Sequence, residues 1–354
     1  MNIKQRIESF TKLGDFLSQF INNTTNKNCE LLNNKFYISF NEILSTIETK
    51  NQWFTQKYTR YSVSAFANLL TKKNLTKWIN NYQNINNSNT NKTIGVIMAG
   101  NIPLVGFHDM LCVLISGHVF LGKMSSKDDQ ILKKITEILI AINPEFTELI
   151  NFTDKLSNFD AIIATGSNNT SRYFESFFKN HPHIIRKNRN SIAILDGNET
   201  HEELYKLADD IFLYFGLGCR NISKLFVPKE YNFNNFLNAI KQYQNIITHK
   251  KYFNNYKYNK SILQINKTPH IDNGFMLLKK DYAISSPIST IYYEEYINIL
   301  DLKRMVNQNI DNIQCIVTNT NHFNNGVKFG QAQKPELWDY SDNVDTLNFT
   351  IKIK

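Results

Sequence analysis

At 354 residues and 42% hydrophobic content, the chain is long enough for two domains of ordinary size, or one α/β domain with an added lobe, and apolar enough for a real core. A net charge of +9 admits nucleic acid, a membrane surface or anionic small molecules as partners, but the lysines are scattered, with no basic stripe interleaved with aromatics and no helix-turn-helix or finger spacing, which argues against nucleic acid. The four cysteines, Cys29, Cys112, Cys219 and Cys315, are widely spaced without a CxxC pair, so neither a disulfide framework nor a zinc site is expected and a reducing cytoplasm fits.

The opening run MNIKQRIESFTKLGDFLSQF carries charges throughout and reads as an amphipathic helix, not a signal peptide. Helical spacing continues to about residue 85 through Trp53, Phe54, Phe66, Leu69, Leu70 and Trp78. An Asn-rich run over 80–91 reads as a flexible spacer. The longest apolar region, 94–121, is interrupted by Asn101, Pro103, His108 and Asp109, so no membrane span is expected.

Strands and helices then alternate: strand over 93–99, helix 108–116, strand 119–123, helix 128–142, strand 161–164, helix 171–178 and strand 192–195. This order predicts an α/β fold with a doubly wound parallel sheet and ligands at the strand C-termini. Three loops fall there: AGNIPL at 99–104, GKMSSKDD at 122–129 and ATGSNN at 164–169. Gly166 and Ser167 precede a helix, where free NH groups favour a phosphate, or where serine is simply the cap. Lys123, Ser125, Ser126 and Lys127 offer ammonium and hydroxyl groups suited to a ribose and its phosphate, or form a solvated turn. His108 and Asp109 are helix neighbours about 100 degrees apart and cannot easily share a substrate proton. Asp109 is read as favouring the helix N-terminus, and His108 is left without a role.

Next comes YFGLGCRNISKLFVP at 214–228, in which Gly216, Gly218 and Cys219 form a small-residue turn ahead of a short buried strand. Cys219 is either a nucleophile presented to a cleft or a small buried hydrophobe.

Taken together, these loops resemble the aldehyde dehydrogenase superfamily, and within it the LuxC-type acyl-CoA reductases; the run FGQAQKPELWDYSDNVDTLNF at 329–349 is similar to that family as well. The resemblance implies an N-terminal helical segment and Rossmann-type dinucleotide-binding domain over 1–195, an α/β catalytic domain over 196–330 and a C-terminal return segment over 331–354. It assigns the nucleophile to Cys219 and the oxyanion contact to Asn101, with the Cys219 main-chain NH as the second donor. Cofactor contacts fall to Lys123, Ser125, Ser126, Lys127, Thr165, Gly166 and Ser167. The implied activity is reduction of a long-chain acyl-CoA to a fatty aldehyde through a cysteine-linked thioester, with NADPH, or NADH, as cofactor. Other readings are reduction of an acyl phosphate, or a non-catalytic scaffold of dehydrogenase fold. A homo-oligomer served by an acyl-transferring or ligase partner enzyme is expected. Where hydrolytic members carry a glutamate base, this chain has Arg186 near the matching position, which fits a reductase. A second familiar glutamate, before Ser286 and Pro287, is also missing, with Ala283 in that neighbourhood. At the position where NAD-preferring relatives carry a glutamate, Ser126 followed by Lys127 favours a 2′-phosphate.

Overall fold

In the computed structural model, which describes residues 1–21, 24–83, 85 and 91–353, the amphipathic opening run forms helix α1 (Ile3–Ser18). Asn2 caps it, with a reciprocal bond from the Asn2 NH to the Gln5 side chain. Its apolar face buries Phe10, Leu13, Phe16 and Leu17. A single turn, α2 (Glu30–Leu32), and helices α3 (Ile38–Lys50), α4 (Gln56–Leu69) and α5 (Lys72–Ile79) complete the helical N-terminal segment. Thr55 and Thr71 start α4 and α5 by accepting from main-chain NH groups with their hydroxyls. Much of the spacer expected over 80–91 lies outside the described residues. Its first residues are anchored rather than loose, because the Tyr82 hydroxyl bonds to Tyr340 at 2.7 Å and to Asp345 at 2.9 Å.

The chain divides into two units, residues 1–187 with 336–354, and residues 188–335. The first unit holds strands β1 (Thr93–Ile97), β2 (Val119–Lys123), β3 (Ile150–Phe152), β4 (Ala161–Thr165) and β5 (His183–Arg186), ordered β3-β2-β1-β4-β5 and all parallel. Their near-continuous apolar runs are what a sheet covered on both faces requires. Helices α6 (Phe107–Ile115), α7 (Gln130–Ile142) and α8 (Asn168–Phe177) connect them. β1 has β2 on one side and β4 on the other, so the loops leaving β1 and β4 diverge at a topological switch point.

The second unit holds β6 (Asn190–Ile194), α9 (His201–Phe212), β7 (Ile222–Pro228), α10 (Asn234–Ala239), α11 (Lys250–Ile265), β8 (His270–Asp272), β9 (Leu277–Lys280), β10 (Thr290–Tyr296), α12 (Ile299–Gln308) and β11 (Ile313–Val317). Its sheet order is β11-β6-β7-β10-β9-β8, parallel except for the β8 and β9 pair. The strand expected at 192–195 therefore belongs to this second sheet, not to the first, because its partners β7 and β11 both come later in the chain. The chain then returns to the first unit, ending in α13 (Thr346–Ile351). Among the described residues no helix is long and apolar enough to cross a membrane, and no cluster of three or more His, Cys, Asp or Glu could hold a metal.

Candidate active site

The Asn101, Lys123 and Thr165 loops belong to the first unit and Cys219 to the second. In the first unit, all three loops leave the carboxyl ends of adjacent strands. Lys123 ends β2 and is exposed, while its carbonyl accepts the Met98 NH at 3.0 Å, tying the two strand ends together. Gly100 lies so close to the next loop that a Cβ there would stand 2.4 Å from Ser125 Oγ, so this position requires glycine for close approach. Asn101, Ser126 and Lys127 are exposed and Ser125 is partly so. The Lys127 NH bonds to Ser125 Oγ at 3.3 Å.

Asp128 joins these two loops, a residue that sequence reasoning placed only at a helix start. It is buried, and one carboxylate oxygen accepts the Leu104 NH at 2.8 Å where Leu104 adopts φ of 60°. The other oxygen has no partner among the described residues. Burial, together with Asp129 nearby, pushes this carboxyl up to about 7, against the opposing pull of the Leu104 bond. Since Asp128 turns inward and Asp129 pairs with Lys50, helix α7 begins at Gln130, two residues later than expected. Asn51 donates to the Lys127 carbonyl at 3.3 Å, so the N-terminal helical segment braces the loop.

After β4, Thr165 and Gly166 are partly exposed, and the Gly166 NH is bonded to the Arg186 carbonyl at 3.2 Å. Ser167 is the N-cap of α8, its Oγ accepting from the Thr170 NH at 3.3 Å. Asp109 lies in the first turn of α6, as expected, without capping it through a side-chain hydrogen bond. It is buried in an ion pair with Arg186 at 2.6 Å, and Arg186 also donates to Thr346 Oγ1 at 2.8 Å. Both terminal nitrogens of the Arg186 guanidinium are thus committed to structure. His108 has one ring nitrogen 3.0 Å from the Leu337 carbonyl and contacts Trp78 and Tyr340. It fastens the return segment.

In the second unit, Cys219 is partly exposed on the turn between α9 and β7. Tyr214, Phe215 and Gly216 are consecutively left-handed, with φ of 53°, 59° and 76°, and only the last is conformationally cheap. Gly218 has no such angle. What holds the turn is Asn221, almost fully buried. Its Oδ1 accepts the Gly218 NH at 2.8 Å, and its Nδ2 lies within bonding distance of the Asp210, Ile211 and Leu213 carbonyls. The only hint of this in the sequence is a lone amide just ahead of an apolar strand. Asp210, also buried, accepts the Gly330 and Ala332 NH groups at 2.6 and 2.9 Å, which ties the FGQAQ segment to α9. A cavity of about 50 Å³ borders Phe215 and Gly216.

The other cysteines are unsuited to attack. Cys29 and Cys112 are buried, and burial pushes the Cys112 thiol well up. Burial pushes Cys315 up to about 11.

A family model described as Acyl-CoA reductase (LuxC) matches residues 67–325. No curated protein matches. Among solved structures, the chain is similar to an aldehyde dehydrogenase from Physcomitrella patens in complex with the reaction product succinate, at TM-score 0.68 and 13% identity, covering 99% of this chain and 84% of that one. It is also similar to an oxidoreductase from Marinobacter aquaeolei, at TM-score 0.65 and 11% identity, covering 95% and 79%. A third is the indole-3-acetaldehyde dehydrogenase AldA of P. syringae in complex with NAD+ and IAA, at TM-score 0.64 and 10% identity, covering 92% and 74%. At these identities the likeness concerns the fold, which is that of aldehyde dehydrogenases.

Proposed function

The chain belongs to the acyl-CoA reductase (LuxC) family, and from that premise we propose that it reduces a long-chain acyl-CoA to the fatty aldehyde through a thioester on Cys219, with NADPH as cofactor. The observation that carries this reading is the presentation of Cys219. It is the partly exposed thiol of a turn clamped from inside by Asn221, while Cys29 and Cys112 are buried and Cys315, although also partly exposed, has its thiol pushed up to about 11.

The Cys219 thiolate attacks the acyl carbonyl, the new carbon–sulfur bond forms, and coenzyme A leaves as its thiolate. Negative charge that develops on the carbonyl oxygen is received by the Cys219 NH and the Asn101 amide, and losing one such donor typically costs roughly 100- to 1000-fold in rate. Lys123, Ser125, Ser126 and Lys127, with Thr165, Gly166 and Ser167, would hold NADPH, which would supply a hydride to the thioester carbonyl and so give the aldehyde. Cys219 departs as the thiolate and is ready to react again.

The residues present fit such a nucleotide. Two exposed ammonium groups and an exposed hydroxyl lie at strand carboxyl ends beside a switch point. Neither neighbouring carboxylate opposes a 2′-phosphate, since Asp128 faces inward and Asp129 pairs with Lys50. A charge-assisted contact from Lys127 would contribute roughly 1.5 to 3 kcal/mol, or about tenfold to a hundredfold in preference. Lys127→Ala should lower kcat/KM for NADPH and leave that for NADH little changed. Equal use of both cofactors by the wild type, unaltered in the variant, would remove this assignment.

The main reading is tested by intact-protein and peptide mass spectrometry after incubation with a series of acyl-CoAs without reductant. An acyl adduct on Cys219, absent in Cys219→Ser, is expected. No adduct from any acyl-CoA, with one from an acyl phosphate, would move the reading to that donor. Full activity of Cys219→Ser would overturn it.

A further inference from the structure

Ser191 lies on β6 with no exposed surface and meets the nucleophile turn at two points. Its NH donates to the Asn221 carbonyl at 3.2 Å, and its Oγ donates to the Cys219 carbonyl at 3.0 Å. The same Oγ accepts the Cys315 NH at 3.2 Å and lies 2.9 Å from the Cys315 sulfur. A serine hydroxyl has one proton and two acceptor sites. With the proton given to the Cys219 carbonyl, the third contact closes only if the Cys315 S–H is its donor.

We propose that Ser191 and Cys315 form a hydroxyl–thiol relay that fixes the main chain of Cys219, which makes both of them positioning residues for the thiol chemistry proposed above. The inference rests on that reading for its catalytic consequence, but not for its effect on the Cys219 thiol itself. The Cys219 carbonyl and its Cβ share one Cα, so a fixed carbonyl fixes the direction in which the side chain leaves the backbone. Asn221 anchors the preceding NH, that of Gly218, and the relay anchors the carbonyl of Cys219 itself. Rotation about the Cα–Cβ bond is then the main freedom left to the nucleophile, and fixing a reacting group in this way raises its rate. Burial keeps the Cys315 thiol protonated at neutral pH, which makes it a donor rather than a rival nucleophile.

The test compares Ser191→Ala, Cys315→Ala, Cys315→Ser and the double variant Ser191→Ala with Cys315→Ala. Two readouts are used: the rate of Cys219 alkylation by iodoacetamide, located by peptide mass, and the separate values of kcat and KM for acyl-CoA reduction. Losing a hydrogen bond of ordinary strength predicts about threefold to tenfold slower alkylation and lower kcat in Ser191→Ala, with KM unchanged. Cys315→Ala should show part of that loss and Cys315→Ser should regain it, since a serine hydroxyl keeps a donor. The double variant should be no worse than Ser191→Ala, because the two residues act as one unit. Wild-type alkylation and kcat in Cys315→Ala, or a double variant showing the product of both single losses, would overturn the relay. If alkylation follows the expected pattern while no variant, nor the wild type, turns over acyl-CoA, the proposed function fails and the relay stands. Should Ser191→Ala not fold, the Cys315→Ala and Cys315→Ser pair decides the question alone.

Discussion

Asn221 uses its acceptor on the Gly218 NH and its donors on carbonyls at the end of α9. Removing it leaves a buried NH without a partner, a loss of about 1 to 3 kcal/mol, more than the net value of the bond itself. Asn221→Ala should therefore lower the urea midpoint by a corresponding amount and lower kcat as the turn loosens. A midpoint equal to that of the wild type would show that the turn is held by other means. Asp128 makes a different prediction. Its carboxyl titrates near 7 in the folded protein and near 4 when unfolded, so the folded state favours the protonated form. The stability this gives is fully present below about pH 4 and is lost as pH rises through about 7. Asp210, held near 7 by burial, acts in the same direction. Asp128→Asn, which cannot ionise, should show a smaller fall in Tm between about pH 5 and about pH 8 than the wild type. An identical fall in both would mean that Asp128 keeps one protonation state across that range.

At the scale of elements, the return segment shows how distant stretches complete the first unit. The Trp78 indole NH donates to the Tyr340 hydroxyl at 2.7 Å, His108 holds the Leu337 carbonyl, and His118 lies 3.0 Å from the Thr350 carbonyl. Tyr340→Phe leaves the Trp78 NH buried and unpaired, so urea unfolding should show about 1 to 3 kcal/mol of lost stability; no change would mean that the indole finds another acceptor. The same contacts explain what was legible in the sequence. β1, β2, β4 and β7 stood out because their apolar runs are bounded by turn residues, and the loops that follow β1, β2 and β4 carry the residues on which the resemblance rests. β3 and β5 were not seen, since each carries only two apolar residues, Ile150 and Phe152 in β3 and Ile184 and Ile185 in β5, too few to set a pattern. The strand at 192–195 was visible, but its sheet was not, because membership depends on partners far along the chain. For the same reason, Asp109 with Arg186, Leu104 with Asp128 and Ser191 with Cys315 escaped a reading based on local pattern.

For the molecule as a whole, if Cys219 carries the acyl group as proposed, the fate of that group depends on which routes away from the thioester the protein provides. Hydrolysis of a thioester at neutral pH needs a base to activate water. Near the position where the resemblance places the carboxylate of hydrolytic members, this chain has Arg186, and a guanidinium cannot accept a proton at neutral pH. Arg186 is also buried, paired with Asp109 and bonded to Thr346, so it is not available for a second task. The acyl group should accordingly wait on Cys219 for reductant. After mixing with acyl-CoA alone, the intact mass should show one acyl group per chain, persisting over a period in which the complete reaction turns over many times. Adding NADPH should then clear it with release of one equivalent of aldehyde. Free fatty acid appearing without reductant at a rate near that of reductive turnover would show that another group activates water, and that reduction is only one of two exits from the thioester.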